Sequence, residues 1–131
     1  LARLPKPDWV DSNRFWEDRV AALAVILAHV REDNAVRVAR AIGRKTLSEN
    51  DSALLSEARF RRLMQTDGPE ELLTNMVRLV RHMGGKVNVV DLAHSVLFWG
   101  DKLRRDWAFA YYAASIANPD ISRAASQKKV L

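Results

Sequence analysis

Arg37, Arg40 and Arg44 stand at i, i+3 and i+7, a spacing that places three guanidinium groups along one stripe of a helix. No Asp or Glu occurs between Asp33 and Glu49 to neutralise them. Solvated helix faces usually interleave Glu with Arg, because i, i+4 pairs of opposite charge stabilise a helix and like charges oppose it. An unpaired arginine row therefore points to an anionic partner. The pattern recurs downstream: Arg59 and Arg62 are three apart, Arg78 and Arg81 are three apart, and Lys102, Arg104 and Arg105 follow Asp101. If the helices carrying Arg59, Arg62, Arg78 and Arg81 are antiparallel neighbours, four guanidinium groups line one groove. Arginine suits phosphate because its planar fork binds in a bidentate way and keeps its charge at any physiological pH.

The charge distribution agrees. Residues 35–62 carry 7 Lys/Arg against 3 Asp/Glu and residues 101–131 carry 6 against 3, whereas residues 1–34 (5 against 6) and 63–100 (3 against 4) are nearly balanced. With a formal net charge of +5, the excess is clustered, which favours a polyanion. Aromatic residues lie among the basic ones, but Trp16, Trp107 and Tyr111 fall on apolar faces and are expected in the core. The expected contacts are thus to phosphate, with weak sequence specificity.

Catalytic chemistry has little to build on. His29, His82 and His94 are each alone on their segments, without the i, i+4 pairing of a zinc protease helix. Gly84-Gly85 precedes "KVNVVD" and lacks the Lys-Ser/Thr ending of a phosphate loop. Paired carboxylates occur at helix starts, where capping accounts for them. The absence of cysteine excludes disulfides, thiolate metal sites and thiol nucleophiles and fits a cytoplasmic setting. No enzyme activity, metal or cofactor is expected.

The elements that must position the arginines are helical. Trp16, Val20, Leu23, Leu27 and Val30 follow helical spacing from Asn13, with Asp11 or Ser12 as the expected cap. A shorter helix over Ala35–Ile42 is expected to close at Gly43 in a left-handed conformation. Residues 44–57 read as a flexible connection, and a third helix begins between Asp51 and Ser56. "TDGPEE" (66–71) opens a fourth helix through Pro69 and two carboxylates, and Gly84-Gly85 ends it. Asn88 caps a fifth, stopped by Gly100. Asp101 caps a sixth, with Leu103, Trp107, Ala110, Tyr111 and Ala114 on one face; "SQKKVL" is a basic tail.

The fold expected is all-α, about six helices, with the last four as antiparallel, bundle-like neighbours. An N-terminal helical lobe (1–50) packs with a C-terminal lobe (51–131) as one compact unit. At 131 residues it buries roughly two-thirds of its unfolded surface without needing a metal or disulfide. No membrane span is expected, because the apolar run Val20–Val30 would cover about 16 Å as a helix against a hydrocarbon core of about 30 Å. The chain opens on Leu1, so residues upstream are expected.

Three segments in order, "RVARAIG" (37–43), "SEARFRRLMQTDGPEELLTNMVRLVR" (56–81) and "VVDLAHSVLFWGDKLRRDWAFAYY" (89–112), resemble the small subunit of the type I-E CRISPR Cascade surveillance complex, the CasB family. The resemblance implies an all-helical, non-catalytic subunit, present in two copies, that touches the repeated backbone subunits and the large subunit. It also implies stabilisation of the R-loop formed when crRNA pairs with target DNA. By position, Arg40, Arg59, Arg78, Lys102 and Arg104 match basic residues of the family; Arg37, Arg44, Arg62, Arg81 and Arg105 are added from helical geometry. The alternative is a helical protein adaptor whose basic stripes meet acidic partners. A free helix-turn-helix regulator would need base-reading residues at the start of a recognition helix, and "VVDLAHSV" supplies few.

Overall fold

The structure, a computed structural model, describes residues 13–44 and 53–116. The expected caps Asp11 and Ser12, the centre of the 44–57 connection and the basic tail lie outside the described residues. The all-α expectation holds, with α1 (Asn13–Leu27), α2 (Val38–Gly43), α3 (Glu57–Met64), α4 (Pro69–His82), α5 (Val89–Leu97) and α6 (Asp101–Ile116). Two strands, β1 (Glu32–Asp33) and β2 (Lys86–Val87), were not expected, because two residues carry no readable alternation. They pair in parallel, Glu32 opposite Lys86 and Asp33 opposite Val87.

This short ladder fastens the connection after α1 to the connection after α4. Arg31 N–H donates to Gly85 O at 2.8 Å, Asn34 N–H donates to Val87 O at 2.9 Å, and the Asp33 carboxylate accepts from Val89 N–H at 2.9 Å. Asn88 caps α5 as expected, accepting from Asp91 N–H at 3.0 Å, while its amide donates to Ala35 O at 3.2 Å.

α1 packs on α4 and α5, and α2 packs on α6. The buried line of α1 runs through Arg19, Ala22 and Ile26, so the expected face is turned: Val20 is exposed, and Trp16, Leu23, Leu27 and Val30 are half-buried. The apolar run 20–28 surrounds the helix and left the direction of burial undetermined by hydropathy alone. Arg19 fixes it by donating to Val96 O in the last turn of α5 at 2.9 Å, where the helix dipole is negative, and to Trp99 O just beyond that helix at 3.4 Å. Burial, then the nearby Arg104 charge, lowers the Arg19 pKa from its ordinary value, and Asp67 opposes that shift.

The end of α4 follows its glycines. Gly84 and Gly85 have φ of 70° and 77°; Gly84 N–H returns to Arg81 O and Gly85 N–H to Val80 O, the paired bonds of a Schellman closure. Gly43 differs from its expected role. It is the last residue of α2, its φ is not positive, and it is buried against α6. A Cβ there would collide with the backbone of Tyr111, whose Cα would lie 2.9 Å away. Glycine is needed here for close approach of two backbones, a requirement that local sequence does not separate from helix closure.

α2 has only six residues and no cap of its own, since Arg37 contributes no side-chain bond at the N-cap. The cap comes from α5. Asp91, buried, accepts from Val38 N–H at 2.8 Å and from Arg37 Nε at 3.2 Å. Ser95 Oγ donates to the Asp91 carbonyl at 2.7 Å and accepts from Trp107 Nε1 of α6 at 3.0 Å. On the other side of the core, Tyr111 stacks on Phe60 with centroids 3.9 Å apart and donates its hydroxyl to Leu55 O at 2.5 Å.

Two stability predictions follow from these contacts. Gly43→Ala lowers unfolding stability by about 1–3 kcal/mol through overpacking of α2 on α6; an unchanged urea midpoint would contradict the close approach. Asp91→Ala removes a remote helix cap and strands a buried N–H, lowering stability by about 2–3 kcal/mol on the same measurement.

Candidate nucleic-acid interface

The arginines divide by what their guanidinium groups touch. Arg37 is tied to Asp91, which corrects the expectation of an unpaired row on α2: the carboxylate that neutralises it comes from α5, distant in sequence. Arg104 is half-buried; it bonds Asp101 at 3.0 Å and Thr66 O at 2.5 Å, and its Cζ lies 5.9 Å from the centre of the Trp99 ring. Trp99 is buried, its indole N–H also donates to Thr66 O at 3.1 Å, and its ring meets Trp107 edge-on at 5.4 Å. Arg104 is therefore part of the corner that seats the "TDGPEE" turn. Phe98, beside it, is partly exposed and tilts against His94. Arg61 pairs with Glu57 at 2.6 Å.

The other expected cations are exposed. Arg40, Arg44, Arg59, Arg62, Arg78, Arg81, Lys102 and Arg105 form no ion pair among the described residues. Arg59 and Arg62 from α3 meet Arg78 from α4 in a cleft of about 370 Å³, whose walls also include Asn75 and His82 and whose floor includes Leu55, Leu63 and Leu79. The groove expected between these helices thus brings together three of its four arginines.

Arg81 lines a second cleft, of about 410 Å³, with Arg31, His29, Ala28, Gly84 and Gly85. The two clefts share the last turns of α4, one on each side. Arg40 and Arg44 on α2, and Lys102 and Arg105 on α6, lie outside both.

Local structure explains the first cleft. Ser56 caps α3, accepting from Arg59 N–H at 3.4 Å, and this sets the rotation that sends Phe60 and Leu63 inward and Arg59 and Arg62 outward. The Asn75 amide donates to Thr66 Oγ1 at 2.8 Å, and His82 Nε2 is 2.6 Å from Leu54 O, so both side chains are held at the wall.

Sequence reading passed over Asn75, His82 and Arg31. Arg31 sits in the charge-balanced run "REDN", yet its acidic neighbours are engaged elsewhere: Glu32 approaches Lys86 at 3.7 Å and Asp33 caps Val89. The signal available in the sequence for His82 was its place one helical turn after Arg78. Among the described residues no three His, Asp or Glu side chains are grouped so as to hold a metal, and no helix is long and apolar enough to cross a membrane.

This division is testable by stability alone. Arg104→Ala removes a charge-assisted hydrogen bond to the buried Thr66 carbonyl, leaving Trp99 as its donor, and is expected to cost about 1–3 kcal/mol, whereas Arg62→Ala and Arg78→Ala should change stability by no more than about 0.5 kcal/mol. Equal losses at all three positions in thermal unfolding would contradict it.

Comparison with known proteins adds one finding. Residues 3–112 match the family model described as CRISPR-associated protein Cse2. No curated protein and no solved structure gives a significant match. The matched span includes all three segments on which the resemblance rests, Asp91 and its cap on α2, and both clefts. The chain belongs to the Cse2 (CasB) family and is a type I-E CRISPR Cascade subunit.

Proposed function

We propose that this subunit is a non-catalytic clamp on nucleic-acid backbone, stabilising the R-loop that forms when crRNA pairs with target DNA in antiviral defence. One observation carries the reading: exposed arginines from α3 and α4, none paired with a carboxylate among the described residues, converge on one cleft while a second cationic cleft adjoins it. Like charges brought together cost folding free energy unless a polyanion offsets them. The last turns of α4 offer a track from Arg31 and Arg81 to Arg78, Arg59 and Arg62, with Arg40, Arg44, Lys102 and Arg105 as further contacts. Sequence is read by RNA–DNA pairing, so such a clamp needs charge and shape rather than base-edge contacts.

The assembly partners in this reading are the repeated backbone subunits, the large subunit and a second copy of the chain, in the cytoplasm. α6 has a surface suited to such contacts. Phe109 and Ile116 are 80% and 72% exposed and, with Tyr112, follow i, i+3, i+7 spacing along one stripe. A helical adaptor that used its basic stripes on acidic proteins would show the same exposed stripe. It would keep its partners after nuclease treatment.

The measurement that separates these readings is fluorescence anisotropy of a labelled single strand against salt. A grip on about six phosphates gives a log–log slope near about −4. Arg59→Ala, Arg62→Ala and Arg78→Ala combined should reduce affinity at least about tenfold and flatten the slope by about 2, with unfolding unchanged. A folded triple variant that binds as the parent does would refute the clamp.

A further inference from the structure

We propose that the cleft between α3 and α4 seats one unpaired nucleotide, taking the base against its apolar floor while the flanking phosphates meet Arg59, Arg62 and Arg78. This rests on the backbone-clamp reading and deepens it, since it names the state of the strand that the cleft accepts.

The composition of the cleft motivates the inference. A site for phosphate alone needs donors and positive charge on a ridge or shallow surface. Here exposed Arg59, Arg62 and Arg78 and buried Leu55, Leu63 and Leu79 line one concavity of about 370 Å³, within the range of small-ligand sites, so the leucines form its floor. Apolar floor and cationic rim together match a nucleotide, whose planar base and phosphodiester require opposite environments.

Asn75 adds a polar group at the wall. Its Nδ2 is committed to Thr66 Oγ1, which leaves Oδ1 without a partner among the described residues. That oxygen can accept from a base N–H, and every nucleobase carries one or more such donors when unpaired, so it favours an unpaired base without selecting a sequence. A duplex would have to extrude a base first, at a cost of a few kcal/mol. The cleft therefore discriminates single strand from duplex by shape rather than by charge.

The test compares ligands, so that it does not depend on a variant that fails to fold. The full chain is titrated with a labelled oligothymidylate about six nucleotides long and with its abasic counterpart of equal charge, at one salt concentration. The expected result is about fivefold to tenfold weaker binding of the abasic strand, corresponding to loss of a buried apolar face. Methyl resonances of Leu55, Leu63 and Leu79 should shift with the intact strand and not with the abasic one. On the protein side, Asn75→Leu removes the acceptor at similar side-chain size and should weaken the intact strand more than the abasic strand, in a variant whose urea midpoint shows it folded.

Equal affinity for intact and abasic strands, with binding still dependent on Arg59, Arg62 and Arg78, would overturn the nucleotide seat and leave the clamp standing. Binding of neither strand, with binding of a peptide rich in Leu and Glu, would overturn both and make the cleft a protein dock.

Discussion

The buried carboxylate of Asp91 is the constraint on which the arrangement depends. It lies in the first turn of α5, yet it caps α2, a six-residue helix too short to persist on its own propensity. Through Ser95 and Trp107 the same residue is joined to α6, against which α2 also packs at Gly43. One residue thereby joins three helices, its carboxylate to α2 and its main-chain carbonyl, by way of Ser95, to α6. Its partner Arg37 is more than half exposed, so the ion pair itself is screened and contributes little; the bond to the Val38 N–H is the structural element.

The second fixed point is the corner around Thr66 and Trp99. Thr66 is buried, and its carbonyl accepts from both Trp99 and Arg104, while its hydroxyl holds Asn75. Arg19 reaches the same corner from α1. Because the turn before α4 is anchored there, the helix cannot rotate, and Asn75, Arg78 and His82 keep a common face toward α3. The cleft is consequently a product of interactions that lie behind it. Cationic residues at its rim are free of structural duty because other arginines, Arg19 and Arg104, perform it.

Much of this was legible in the chain because helices with strong punctuation leave local marks. Pro69 with Glu70 and Glu71, Asn88 at the head of α5, Ser56 before α3 and the Gly84-Gly85 pair all act where their residue types require. Elements that depend on remote partners were not legible. α1 is apolar around most of its circumference, so only the bonds from Arg19 to α5 select its inward face. Gly43 looked like a helix terminator because glycine after a helical run usually is one; the backbone of Tyr111 that demands it is far away in sequence. The strand pair is two residues long and has no period to detect. For the candidate site, spacing identified the arginines of α3 and α4 but assumed that residues three apart on α4 serve one groove. Arg78 and Arg81 diverge around the helix by enough to place them in separate clefts, and His82 takes the position expected of Arg81.

The contrast between Arg61 and Arg62 shows why charge counts alone do not identify a binding surface. They are adjacent, equally basic and on the same helix, α3. Successive helical residues point about 100° apart, so one turns toward Glu57 and the other toward the cleft. Arg61 finds a carboxylate at i−4, with Tyr112 beside it, and its pKa is raised by the Tyr112 hydrogen bond first and the Glu57 charge second. Arg62 meets Arg59 and Arg78 instead, in an environment where its charge is opposed rather than complemented. Folding stability by itself would favour a Glu in place of one of them. Their repulsion around this concave surface is left uncompensated by any carboxylate among the described residues, and an anion from outside the chain, as proposed, would offset it.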